Sequence, residues 1–420
     1  MFYNNLFSHI KKLFYEDCER DFPAFLSEKE RSGSIEILAS SATHAVLPLL
    51  SSDSARRAQV RTAKRIYRRD IGFVPKGFWL PECAYADGIE RIIEDEGFNY
   101  FFLDAKSIIY GNPKPEYGTR YPLKVTDKCF VFPRDMNTAK EVWGAKTGYP
   151  THPSYREFYR DLAFDADKEY LAPYLHSDGV RRPLGFKYHK ITGVVPLYEK
   201  DIWDPDEAIA QAKIHAKQFV DARLREAEEI GKKDNIPILF TAPFDAELFG
   251  HWWFEGPWFI EALFREMKNR DYALMPITPR EWLDRYEVKY NIKPDSGTWG
   301  AGRDFSTWLN PDNAWIYRHL YNAEKTMEEI TKRIPMADGV ERRALDQALR
   351  ELLLAQASDW PFIMTKKTVV SYATKRFRNH IYVFRKLIDS IESGRIDESF
   401  LKEQELNFPF GKNIDYRDFS

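Results

Sequence analysis

Two stretches of the chain put carboxylates where an enzyme could use them. In "GFWLPECAYADG" (77–88), Glu82 follows directly on a short apolar run, with Trp79 before it and Cys83 and Tyr85 behind. In "ILFTAPFDAELFGHWWFEGPWFI" (238–260), Asp245 and Glu247 follow a second apolar run and precede His251, Trp252, Trp253, Glu255 and Trp258. An ionised acid next to a buried strand is costly to desolvate unless it is paired or has a task. Two such acids are the minimum equipment for breaking a glycosidic bond: one protonates the leaving oxygen while the other attacks the anomeric carbon or activates water. The surrounding rings supply flat faces with a polar edge, which suit sugar stacking. Spacing alone leaves Asp245 and Glu247 as alternatives. An acid after a strand also commonly caps a helix, and "HWWFEGPWF" by itself reads as the start of a buried helix. The two constellations together favour a sugar-active site.

Other chemistries lack their signatures. There is no phosphate-binding loop, and "WGAGRDF" (299–305) has Phe305 where a dinucleotide fingerprint needs its third glycine. HExxH and GxSxG do not occur, and nine scattered histidines give no ligand spacing, so neither a metal nor another cofactor is expected. Lys+Arg 62 against Asp+Glu 64 leaves a net charge of −2, which argues against nucleic acid as a partner. The three cysteines (18, 83 and 129) cannot build a disulfide framework, and no apolar run is long enough to span a membrane. A cytoplasmic protein, monomeric or a small homo-oligomer, is the expectation.

The elements that must position these acids alternate. Candidate strands are 34–38, 77–80, 99–104, 129–132, 236–241 and 272–277, with helical patterns at 54–70, 86–97, 206–230 and 256–269 between them. Such alternation predicts an α/β fold with a parallel sheet, open or closed into a barrel, whose strand C-termini form the active face. Segments 105–127 and 137–190 read as long insertions, and 137–155, with Trp143 and Tyr149, is a candidate lid. After about residue 300 the strand signal ends and 312–333, 339–358 and 366–393 read as helices. In the last, Val370, Ala373, Phe377, Ile381, Phe384, Ile388 and Ile391 form a stripe that Gly394 should terminate. The expected division is a catalytic α/β domain over 1–295 and a helical domain over 296–420.

Four stretches carry a family resemblance: "GSIEILASSATHAVLPLL" (33–50), "GFWLPECAYADGIE" (77–90), "FTAPFDAELFGHWWFEGP" (240–257) and "TWGAGRDFSTWLNPDNAWIYRHL" (298–320). Weaker matches are "VFPRD" (131–135), "GYPTHPSYREFYRD" (148–161), "GFKYHKITG" (185–193) and "LLLAQASDWPF" (352–362). The chain resembles glycoside hydrolase family 57, and within it the 1,4-α-glucan branching enzymes. The resemblance implies an incomplete (β/α)₇ barrel followed by a helical domain, and retention of anomeric configuration by double displacement. By motif position Glu82 is the nucleophile and Asp245 the general acid/base. His44, of the "ATH" motif, lines the donor site. Trp79, Arg134, Asp135, Trp253, Trp299, Trp308, Asp359 and Trp360 are the further candidates for glucan contact. The family's opening His-Gln-Pro strand has no counterpart here, so the chain is expected to lack the first βα unit.

The expected reaction cleaves an α-1,4 bond of an amylose- or glycogen-like glucan and rebuilds it as an α-1,6 branch, with carboxylates roughly 5–5.5 Å apart. Rival readings are an α-glucan hydrolase, a 4-α-glucanotransferase, or an inactive glucan-binding remnant.

Overall fold

A computed structural model describes residues 1–231 and 236–420. By compactness the chain divides into two units: residues 6–133 with 278–420, and residues 1–5 with 134–277.

The first unit carries the sheet. Strands β1 (Leu38–Ser40), β2 (Gly77–Trp79), β3 (Tyr100–Leu103), β4 (Leu123–Lys124) and β5 (Phe130–Pro133) lie in the order β1-β2-β3-β5-β4. β1, β2, β3 and β5 are parallel; β4 runs antiparallel at the edge. Runs such as "YFFL", buried at every position, are what a parallel strand covered on both faces should look like. Gly77 is required where it stands: it pairs with Tyr100, whose ring occupies the space a Cβ would need. Ala55, Ala58 and Val60 of the helix Asp53–Asp70, with Ile89, Ile92 and Ile93 of the helix Ile89–Asp95, join the core beside Phe78, Phe101 and Val131.

The helical stretch after residue 300 belongs to the same unit. Helices Trp315–Arg333, Gly339–Ala355 and Val370–Glu392 form as expected, and Gly394 follows the last at φ +64, the left-handed geometry a helix stop favours. The stripe from Ala373 to Ile391 is buried, and its core is continuous with that of the sheet, running from Ala39 to Phe419. The expected break at 295 is therefore not where compactness divides this chain. Apolar faces of sheet and helices merge into one core, while 134–277 closes on itself.

In that second unit, helices Pro205–Gly231 and Gly256–Asn269 pack together around Phe219, Trp253 and Phe259. Two expected strands are not seen here. Of 236–241 only Thr241 forms a bridge, to Arg134, and 272–277 forms none, with Tyr272 and Met275 about half exposed. A hydrophobic run signals a strand only when a neighbour supplies the ladder. Tyr149 of the candidate lid is fastened down: its ring stacks on His215, with centroids 4.4 Å apart.

Candidate active site

Glu82 sits in a single turn, Pro81–Cys83, just beyond β2. Its backbone is left-handed (φ 62), as are those of Cys83 (φ 49) and His44 (φ 57). Non-glycine residues pay of order 1–2 kcal/mol for this geometry, so three together persist only where surrounding contacts impose them. For Glu82 the contacts come from 297–299. Trp299 N–H donates to the Glu82 carbonyl at 3.0 Å, and Tyr85 and Gly297 exchange backbone hydrogen bonds at 2.9 and 3.0 Å. The indole Nε1 of Trp299 also donates to Glu82 Oε2 at 2.7 Å. This strapping leaves the Glu82 side chain 19% exposed, accessible yet oriented.

His44 Nδ1 stands 3.9 Å from Glu82 Oε1 and 2.9 Å from Ser358 Oγ. Trp79 meets Trp299 ring to ring at 5.0 Å and 60°. The structure thus brings together Glu82, His44, Trp79 and Trp299. Trp308 lies beneath them, 1% exposed, packed with Val46, Ala84 and Trp299. It supports the site and offers no free face to a sugar. Asp359 is exposed beside Ser358, whereas Trp360 is buried with its Nε1 donating to the Leu354 carbonyl at 2.8 Å.

Asp245 belongs to the other unit. It precedes the turn Ala246–Leu248 in the N-cap position, yet its side chain makes no cap bond. Burial raises its carboxyl above the usual range, the neighbouring Glu247 charge adds to the rise, and the Arg134 guanidinium opposes it. Arg134 thus stands near this acid. Asp135 is fully buried and caps the helix Met136–Trp143, its Oδ1 accepting from Thr138 N–H at 2.7 Å. Trp253 is 1% exposed among Tyr155, Phe249 and Phe259. The available ring is its neighbour Trp252, 50% exposed and stacked on Phe158 at 4.4 Å and 17°. Ser358 is not among the expected contact residues, and Trp252 is there only as one of the rings around Asp245, with Trp253 singled out in its place. Adjacent side chains in "WW" point to different surroundings, and composition does not say which one faces out.

Among the described residues no group of three or more His, Cys, Asp or Glu is arranged to hold a metal ion. No helix among them is long and apolar enough to cross a membrane.

The sequence model of Glycosyl hydrolase family 57 matches residues 4–293. The chain belongs to glycosyl hydrolase family 57. The family 57 match is followed by one to "1,4-alpha-glucan branching enzyme, C-terminal" over residues 319–419. A 1,4-alpha-glucan branching enzyme of Thermococcus kodakarensis is 33% identical over 94% of this chain. A probable 1,4-alpha-glucan branching enzyme of Mycobacterium tuberculosis is 30% identical over 87%. The chain spans 61% and 66% of the lengths of these two relatives. Among solved structures, that of the alpha-amylase AmyC from Thermotoga maritima superposes with a TM-score of 0.91 at 35% identity, covering 100% of this chain and 79% of that one. The Thermococcus family 57 branching enzyme, solved with glucose, gives 0.86 at 30% identity, covering 97% and 76%. The architecture is accordingly a partial barrel of the family 57 kind with a helical C-terminal region.

Proposed function

We propose that this chain acts on α-1,4-glucans as a retaining branching enzyme, with Glu82 as nucleophile and Asp245 as general acid/base. The observation that carries the reading is the hold on Glu82: an acid in strained backbone, gripped by the main chain and indole of Trp299 and flanked by His44. Strain of this kind accumulates where a side chain must be presented rather than packed. Glu82 attacks C1 of a glucosyl unit while Asp245 gives its proton to the departing 4-oxygen. The glucosyl–Glu82 ester is then attacked by a 6-hydroxyl of an acceptor chain as Asp245, now a carboxylate, removes that hydroxyl's proton, so an α-1,6 linkage replaces an α-1,4 one with retention. Burial and Glu247 favour the protonated Asp245 that the first step needs. Three buried cysteines with free thiols suit a reducing cytoplasm.

Incubation of the purified chain with amylose tests the proposal. New α-1,6 linkages, released as short chains by a debranching enzyme, are expected, and both Glu82→Gln and Asp245→Asn should abolish them. Similarity to a structure named an alpha-amylase favours hydrolysis as the second reading. Reducing ends without branches would establish that reading instead. Redistributed α-1,4 chain lengths would indicate 4-α-glucanotransfer. Glucan binding without turnover would leave only a binding role.

A further inference from the structure

The loop carrying His44 is tied to the N-terminal end of the helix Asp359–Lys366 by two hydrogen bonds. Ser358 N–H donates to the His44 carbonyl at 3.2 Å, and Ser358 Oγ lies 2.9 Å from His44 Nδ1. The next residue back in the loop is fastened to the same region of the chain: Thr43 Oγ1 donates to the Leu353 carbonyl at 2.5 Å. Gln59, which accepts from Thr43 N–H at 3.1 Å, donates in turn to Gln356 at 2.8 Å. The loop's path is thus set by several contacts that do not involve the Ser358 hydroxyl. What the hydroxyl adds is control of the imidazole itself. It meets the same nitrogen that faces Glu82 Oε1 at 3.9 Å, and Ser358 is 3% exposed, so water does not readily replace it. His44 itself is about half exposed, and χ2 of a histidine is a broad, weakly preferring torsion, so a hydrogen bond at Nδ1 bears directly on the ring's orientation.

We propose that Ser358 is a positioning residue, whose hydroxyl holds the His44 imidazole in place beside Glu82. The inference rests on the assignment of Glu82 as nucleophile. It also gives the helical region a part in the reaction: the residue that orients His44 opens a helix of that region, far along the chain from the sheet loop it controls.

A double-mutant cycle on turnover of amylose by the whole chain tests this. Loss of one such hydrogen bond should lower kcat in Ser358→Ala roughly tenfold, with KM within about twofold. Because the effect passes through His44, the double variant Ser358→Ala/His44→Gln should be no slower than His44→Gln alone. Ser358→Cys, close in size with a weaker hydrogen-bonding group, should fall between the parent chain and Ser358→Ala, and serves if the alanine variant does not fold. A multiplicative loss in the double variant, or an unchanged kcat in both Ser358 variants, overturns the proposal. Glu82→Gln separates the two levels: full transfer activity in that variant overturns the assignment of the nucleophile, whatever Ser358 does.

Discussion

Trp299 grips Glu82 twice, donating from its main-chain N–H to the Glu82 carbonyl at 3.0 Å and from its indole to Oε2 at 2.7 Å. The backbone bond helps to hold the left-handed turn, and the indole aims the carboxylate. The two tasks can be separated, because only one of them depends on the side chain.

Trp299→Phe keeps the backbone bond and most of the ring contact with Trp79 but removes the indole donor. A hydrogen bond to a charged group contributes about 1.5–3 kcal/mol. If that bond serves the transition state, kcat should fall roughly 10- to 100-fold while the unfolding midpoint shifts little. Steady-state kinetics on amylose, with a thermal melt on the same sample, read both. A large loss of midpoint with proportionate activity would instead make the indole a packing element.

Asp245 is a place where activity and stability should pull apart. Its carboxyl is raised, first by burial and then by Glu247. The folded chain therefore holds the proton more tightly than the unfolded one, so stability falls as pH rises through the folded value. Asp245→Asn removes the charge at issue. It should abolish turnover while raising the melting temperature at pH 7–8 by roughly 2 °C, a gain that disappears at pH 4. Parallel melts at the two pH values decide it, and equal melts at pH 8 would show that Arg134 fully compensates the charge.

What the sequence disclosed and what it withheld divide along the range of the interactions. The acid after β2, the periodic stripe of the helix Val370–Glu392 and its stop at Gly394 are local patterns, and each is legible in a few residues. Motif likeness singled out His44 for a donor site and Trp299 for glucan contact, and both lie beside Glu82. Orientation was not legible. Trp308 and Trp360 lie in the same stretches as accessible residues yet are buried, because their rings fill space between elements that only the tertiary fold creates. The apolar runs 236–241 and 272–277 look like strands, but pairing depends on neighbours that a local reading cannot see. Ser358 meets His44 across more than three hundred residues, a contact no spacing rule reaches.

The adjacent tryptophans offer a contrast within one dipeptide. Trp253 is enclosed by Tyr155, Phe249 and Phe259, so Trp253→Ala should cost about 3–5 kcal/mol through the cavity it leaves. Trp252 rests one face on Phe158, whose ring also contacts Lys187 Nζ 3.9 Å from its centroid. Its own loop holds it through Trp252 N–H donating to the Glu247 carbonyl at 3.0 Å, two residues from Asp245. Trp252→Ala should weaken glucan binding about fivefold or more with a small change in stability, since an aromatic contact contributes roughly 0.5–1.5 kcal/mol beyond its area. Affinity electrophoresis in glycogen and urea unfolding, run on both variants, should give opposite rankings. Identical rankings would remove the distinction between the two rings.

Glu255 supplies a titration that the proposed chemistry does not use. It is fully buried, and its Oε1 accepts from Arg156 N–H at 3.0 Å and from Trp203 Nε1 at 2.9 Å. Burial outweighs these donors and the Arg156 charge, and pushes the carboxyl up to about 7 from an ordinary value of 4.5. With the folded value raised, its contribution is fully present below about pH 4.5 and is lost as pH rises through about 7, a loss on the order of 3 kcal/mol. His152 and His215, lowered by burial, act in the opposite sense: their contribution is present above pH 6.5 and lost as pH falls, for His215 toward about 4. Raw stability curves therefore mix the two, and the comparison that isolates Glu255 is with Glu255→Gln, which can still accept both hydrogen bonds. Urea midpoints of the pair should lie nearest one another at pH 4 and diverge by pH 8, with the glutamine variant the more stable. Parallel curves across that range would mean that Glu255 keeps one protonation state throughout and that the Arg156 charge offsets the burial.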